Sequence, residues 1–479
     1  MSTRTTALGV KAHRVRACIS VGLVAAATLI RTSAVGDDQL SQYAFSTAVY
    51  GVQFLLLALI AYRWPHLLWP TIATPAAIAF TLAGLILGIA TNYGAPPTML
   101  LLSDALMGLG RMWAVVLACV GLAETGSGIR AMTLSMTGIA SAYVALLCFA
   151  SIIAAAPLLA LGATIVLSLL IGASISTTPI RKIIDAGAIR SLDTTNPLSF
   201  VSLRSRFFVA VLLFEMIFGY QVSLGVGGDA ALQTLAAGIG LVVILAFATG
   251  QRALLDADTI LTLCLIAFEL GIMLSMVSSL RHISSVILVI GSQSFYALIW
   301  SVLATIGNRN RYGLLVVIGW GFGLSTIGSA AGATLAAGVA ALEAAGSEDV
   351  VALMQALFAF LTFAFAWLAL RSFSFKKLFS EIAPVTTEPD GRTNAVDEET
   401  APLSSRSLDS RIKTLAREGG LTPREQEIAF LLARGRNGSY IQERLVISRN
   451  TAKTHTRHIY QKLSVHSQQE LIDLVESRD

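Results

Sequence analysis

The sequence predicts an all-α protein in two parts: a polytopic membrane bundle of about twelve spans, then a small water-soluble domain of four short helices. Three observations carry this. The chain is 55% hydrophobic and 13% charged, whereas soluble domains carry about 25% charged residues. The charge is also partitioned: residues 1–377 hold 34 Asp, Glu, Lys and Arg, and the last 102 residues hold 29. Finally, apolar windows long enough to cross a bilayer recur along the first part only. A single soluble enzyme, a disulfide scaffold and a disordered chain are excluded.

The spans are expected at 15–33, 43–62, 68–90, 99–122, 131–153, 156–177, 207–226, 230–250, 259–280, 283–306, 313–341 and 350–371. The first follows a basic leader with Arg4, Lys11, Arg14 and Arg16. Because so many apolar runs follow, it reads as an uncleaved span rather than a signal peptide. The eleventh is long and rich in glycine and alanine, which suits a tilt or a bend. Cys18, Cys119, Cys148 and Cys264 all lie in apolar runs without metal-ligand spacing and read as small buried thiols.

Loop charge orients the bundle. With the N-terminus inside, seventeen Lys and Arg fall in inside segments, among them Arg63, Arg130, Arg181, Lys182, Arg309 and Arg311. Only Arg31 and Arg281 fall outside. This asymmetry and the even span count predict that both termini are cytoplasmic; a cytoplasmic (inner) membrane location is the matching expectation.

The longest internal loop, 178–206, divides the spans six and six. That layout resembles the major facilitator architecture. Between spans two and three, where that family carries a glycine-, aspartate- and arginine-rich motif, this chain has only Arg63, Trp64, Pro65 and His66.

Polar groups inside spans are costly and therefore informative. Asp104 and Arg111 lie seven apart on one face of the fourth span; Glu215 and Gln221 lie in the seventh, Glu269 in the ninth and Gln293 in the tenth. Asp104, Arg111, Glu215 and Glu269 are candidates for a ligand or coupling pocket between the halves. Structural bridges holding helices in register are the competing reading.

Residues 378–409 are expected to form a flexible linker, with three prolines and seven acids against two arginines. A tether of that length reaches about 30 Å.

Helical periodicity resumes in the soluble part, residues 410–479. Thr422, Pro423 and Glu425 make a capping box, with Ile428, Leu431 and Leu432 on one face and Gly435 closing the helix. A second helix spans about 439–445 and buries Ile441 and Leu445. Ser448 caps a third, about 449–463, with Ala452, Ile459 and Leu463 inward; a fourth follows Ser467 with Leu471, Ile472 and Leu474 apolar. Four short helices with a tight turn between the second and third are the layout of a helix-turn-helix.

On the third helix, Asn450, Lys453, Thr454 and Arg457 follow i, i+3, i+4, i+7 spacing and share a face opposite the buried residues. Lys and Arg donate to guanine and Asn pairs with adenine in a major groove. Thr451, His455 and Lys462 flank that face within reach of phosphates. An ordinary solvated basic face is the alternative. The region 410–479 holds twelve Lys and Arg against eight acids, a surplus suited to double-stranded DNA.

The stretch Leu421 to Val475, with LTPREQEI, VISRNTAKTH and KLSVHSQQELI, resembles the LuxR-type DNA-binding domain. The resemblance implies that the third helix enters the major groove, that Lys453, Thr454 and Arg457 meet DNA, and that the fourth helix pairs two domains as a homodimer on DNA. In the second helix Gly438, Ser439, Tyr440, Ile441 and Gln442 depart from the usual run, with Gln442 in place of a small packing residue.

No phosphate-binding loop, HExxH motif or other enzyme signature occurs, so no catalytic residue, metal or cofactor is expected. The functional expectation is a membrane-embedded one-component transcriptional regulator. Its partners are DNA, the lipid bilayer and an unknown small-molecule ligand. A membrane transporter with an appended regulatory domain is the alternative.

Overall fold

The computed structural model describes residues 2–33, 40–94, 96, 98–185, 194–195, 197, 200–201, 205–223, 230–250, 257–275, 277–346, 348–372, 374–382 and 404–477. Among these, all regular structure is helical. The chain divides into two compact units. One comprises Met1–Arg181, Leu203–Asn308 and Leu314–Lys377; the other comprises Lys182–Ser202, Arg309–Gly313 and Leu378–Asp479.

The first unit contains twelve long helices among the described residues, at the places the apolar windows predict. They are α1 Ser2–Ser33, α2 Leu40–Arg63, α3 Pro70–Thr91, α4 Thr98–Ala123, α5 Gly128–Cys148 and α6 Pro157–Asp185. The second six are α7 Arg206–Ser223, α8 Ala230–Gly250, α9 Ala257–Ser275, α10 Arg281–Arg309, α11 Leu314–Ala344 and α12 Glu348–Ser372. Nine of them are long and apolar enough among the described residues to cross a membrane, by length and composition. Ile72, Ile86, Ile266, Met273 and Phe360 point outward and are exposed; an apolar exterior of this kind belongs in lipid.

Several boundaries differ from expectation. The fifth span breaks at Phe149, and a short helix, Ala150–Ala155, continues it. Pro157 then begins α6 after a non-helical Ala156, because the ring of a proline disfavours helical geometry in the residue before it. Helix α6 runs on to Asp185, through the start of the predicted internal loop. The eleventh span is one continuous helix, Leu314–Ala344. Cys148 is exposed rather than buried, whereas Cys119 and Cys264 are buried and Cys18 is partly so. Arg190, Arg204 and Arg252, counted in the charge asymmetry, lie outside the described residues.

Small residues set the helix contacts. Helix α11 packs along both α2 and α7. A Cβ on Gly332 would sit 2.0 Å from the Met216 carbonyl oxygen, and one on Gly319 would sit 2.7 Å from that of Phe54. Backbones this close gain dispersion contacts that lipid cannot supply, which is how glycine favours helix pairing in membranes.

A helix at Phe375–Glu381 begins in the last residues of the first unit and ends in the second, at the start of the expected linker, and Arg309 Nη1 donates to the carbonyls of Phe379 (2.5 Å) and Ile382 (3.1 Å). Residues 383–403 of that linker lie outside the described residues. The chain resumes in α13, Ser404–Glu418, six residues before the expected domain start. Then follow α14 Pro423–Ala433, α15 Gly438–Leu445, α16 Arg449–Leu463 and α17 Gln468–Glu476.

These five helices close one core. Ile412, Leu415, Ile428, Leu432, Ile441, Ala452, Ile459, Tyr460, Leu471 and Val475 are all buried in it. Helix α13 adds the first two of these, beyond the four helices expected. On the last helix Val475 is buried whereas Ile472 is half-buried.

Local signals fix the ends of these helices. Thr422 Oγ1 accepts from Glu425 N, and Glu425 Oε2 accepts from Thr422 N, so the capping box is complete. Asn437, Ser448 and Ser467 cap the next three helices through their side-chain oxygens. Gly435, at φ +71°, ends α14. Gln442 turns its amide back to the Gly438 carbonyl at 2.8 Å on its own helix.

Candidate nucleic-acid interface and membrane cavity

Helix α16 displays the candidate DNA-reading residues as its periodicity requires. Ala452, Thr456, Ile459 and Tyr460 turn inward. Asn450, Thr454 and Arg457 are exposed, and Lys453 is half-buried beside them. Thr451 is exposed at the first turn, where its hydroxyl meets Ser448 Oγ at 2.7 Å.

Two of the residues expected to flank that face are partly engaged within the domain. His455 is half-buried, and its Nδ1 has no hydrogen-bond partner; at 100° per residue it points back toward the core side of the helix. Lys462 is engaged within the domain, donating to Glu425 Oε2 at 2.6 Å and to the Gly420 carbonyl at 3.1 Å. It ties the end of α16 to the start of α14.

Glu425 is thus shared between its own helix cap and Lys462. Burial opposes its ionisation, but the Lys462 ammonium and the Thr422 N–H and hydroxyl outweigh that and hold the carboxyl below its ordinary range. Arg424 adds a further tie, donating to the Leu445 carbonyl at 2.7 Å. Together these bonds hold three helices at fixed angles and so aim α16.

Tyr460, on the inward side of α16, donates its hydroxyl to the Thr195 carbonyl, which belongs to the same compact unit. Thr194 and Thr195 are buried there. They come from the segment that joins the two six-helix halves in sequence.

In the bundle, a cavity of about 330 Å³ is lined by α1, α2, α4 and α5 of the first half and by α7, α8, α10 and α11 of the second. Arg111 and Glu215 line it, as does Gln293. Asp104 stands behind the wall. Its carboxylate is gripped by Arg31, with Nε at 2.9 Å from Oδ1 and Nη2 at 2.9 Å from Oδ2. Arg31 also donates to Ser46 Oγ and lies 5.5 Å from the Tyr43 ring centroid. It is therefore a buried bundle residue and not an outside-loop charge.

Arg111 Nη2 is 3.7 Å from Asp104 Oδ1, close enough to feel its charge but too far for a hydrogen bond. Its guanidinium lies 4.4 Å from the Tyr50 ring centroid. Gln221 is buried but is not part of this wall. Glu269 is half-buried and outside it too, so the four charged candidates do not converge on one site. Sequence reasoning missed Arg31 and the tyrosines Tyr43, Tyr50 and Tyr296, which also line the cavity. Aromatic residues within apolar spans carry no periodic signal that singles them out.

Residues 420–475 match the family described as GerE, bacterial regulatory proteins of the luxR family. No curated protein matches the chain. Among solved structures, the major facilitator superfamily proton:xylose symporter XylE, bound to 6-bromo-6-deoxy-D-glucose, is similar in fold. It has a TM-score of 0.50 and 10% identity, and the match covers 77% of this chain and 99% of that one. A bacterial homologue of the iron transporter ferroportin in an outward-facing state with soaked iron matches with a TM-score of 0.49 and 12% identity, over 75% and 99% of the two chains.

Proposed function

We propose that this chain, a multi-pass membrane protein with a major-facilitator-like bundle and a C-terminal LuxR-type DNA-binding domain, is a one-component transcriptional regulator. The bundle senses a small molecule, and the C-terminal domain binds promoter DNA on the cytoplasmic side of the inner membrane. Asn450, Thr454 and Arg457, with Lys453 beside them, read bases in a major groove. Two copies pair on a two-half-site operator, where bivalence raises the effective concentration.

One observation carries the reading. The segment between the two six-helix halves belongs to the same compact unit as the DNA-binding domain, and Thr195 accepts a bond from Tyr460 of the candidate recognition helix. In a sensor, a shift of one half against the other pulls on this segment and so biases the domain. A ligand drives that shift only as far as its affinity differs between the two arrangements.

Complementation of a deletion strain tests the proposal, with transcript profiling as the readout. The wild-type chain is expected to restore a defined set of transcripts and the Lys453→Ala, Arg457→Ala double variant to restore none. A transporter with an appended domain gives another pattern: substrate flux in vesicles, unaffected by that double variant and lost on changing Glu215.

A further inference from the structure

We infer that the cavity between the halves binds a small organic carboxylate, held by the guanidinium of Arg111. The inference deepens the sensing role proposed above and rests on it, since it names the chemistry of the signal.

The argument begins with two arginines and one acid. A guanidinium pairs best with a carboxylate through its planar fork, which gives two parallel N–H···O bonds. Arg31 uses its Nε and Nη2 edge in this way on Asp104. In Arg111 the same two nitrogens, Nε and Nη2, are buried and have no hydrogen-bond partner. Arg111 is 3% exposed and lines the cavity. Among the described residues Asp104 is the only acid within 4 Å of either arginine, and both its oxygens already accept from Arg31.

A buried guanidinium with two nitrogens left without hydrogen bonds is expensive, and folded proteins retain such groups with partners. The missing partner is an anion that presents two oxygens. The rest of the wall specifies the body of that anion. Phe54, Phe218, Phe322, Tyr143 and Val289 line the cavity with apolar and aromatic surface, which suits a hydrocarbon or aromatic ring and not a bare inorganic ion. Glu215 lines it as well and makes no ion pair with Arg111; a second carboxylate on the ligand would meet it unfavourably. The occupant is therefore a monocarboxylate with an apolar body.

Thermal unfolding of the full chain in lipid nanodiscs tests this. The probes are benzoate, phenylacetate and octanoate, their primary amides, and inorganic phosphate and chloride as separate arms. At least one carboxylate is expected to raise the melting temperature in a saturable way, with its amide at least tenfold weaker. Arg111→Gln and Arg111→Met are expected to abolish that shift while leaving the ligand-free melting temperature unchanged or higher, because a buried cation with two nitrogens lacking hydrogen bonds has been removed. A merely structural Arg111 predicts a lower ligand-free melting temperature instead.

Several outcomes overturn the inference: no shift with any carboxylate, an equal shift with the amides, a shift with the inorganic ions alone, or a carboxylate shift that survives both variants. Carboxylate binding without any change in transcription would uphold the site and overturn only the sensing role.

Discussion

Tyr460 donates its hydroxyl to the backbone carbonyl of Thr195, 265 positions away in sequence, and both residues are buried. The bond links the inward face of the candidate recognition helix to the segment that joins the two halves of the bundle. It gives the proposed signal a physical route that a flexible tether alone does not.

Tyr460→Phe keeps the ring in the core and removes only this bond, a net loss of about 1 kcal/mol. In the full chain, the peptide carrying residues 194–201 is expected to exchange its amide hydrogens about fivefold faster, read by mass spectrometry. The 404–479 fragment lacks Thr195 but keeps every residue of the domain core, so the same variant is expected to leave its melting temperature and DNA affinity unchanged.

Arg457→Ala and Lys453→Ala are each expected to weaken operator binding by that fragment by about 1–3 kcal/mol, without a change in melting temperature. Lys462→Ala is expected to do the reverse. Its ammonium holds Glu425 and the Gly420 carbonyl, so it lowers stability first. Gel shifts paired with thermal melts separate the two classes of lysine.

Val446 follows α15 with φ +53° and is almost fully exposed. A β-branched residue in the left-handed region is strained, by roughly 1–2 kcal/mol, and no burial offsets it here. Val446→Gly is expected to stabilise the fragment by about 1 kcal/mol, measured by urea denaturation.

Glu425 predicts a pH dependence of definite sign. Its carboxyl is held below the ordinary range in the folded state. Its contribution is therefore complete above the unfolded carboxylate value, about 4.3, and is lost as the pH falls through the lower folded value. Glu425→Gln is expected to cost about 1–2 kcal/mol at neutral pH and to flatten the decline of stability in acid. Melting temperatures of the fragment between pH 3 and 7 check both effects.

Local structure was the most legible part of the sequence. Thr422, Ser448 and Ser467 announce three helix starts because a cap needs only a side chain and the next few amides. The inward and outward faces of α16 follow from periodicity for the same reason. Partnerships between distant segments were not legible. Arg31 reads as an outside charge until Asp104, 73 residues on, is seen against it. Nothing in the sequence places Lys462 beside Glu425, 37 positions earlier. Nor does the sequence tell which spans are neighbours, so Glu269 could be grouped with Arg111 although it lies outside the cavity wall.

The most direct test is mapping of DNA sites by crosslinking and immunoprecipitation from isolated membranes, with the full-length chain tagged at its C-terminus. The account predicts discrete, reproducible sites recovered with the uncleaved membrane-bound chain and absent with Arg457→Ala. Recovery of sites only with a soluble C-terminal fragment, or an unchanged map in the variant, would contradict it.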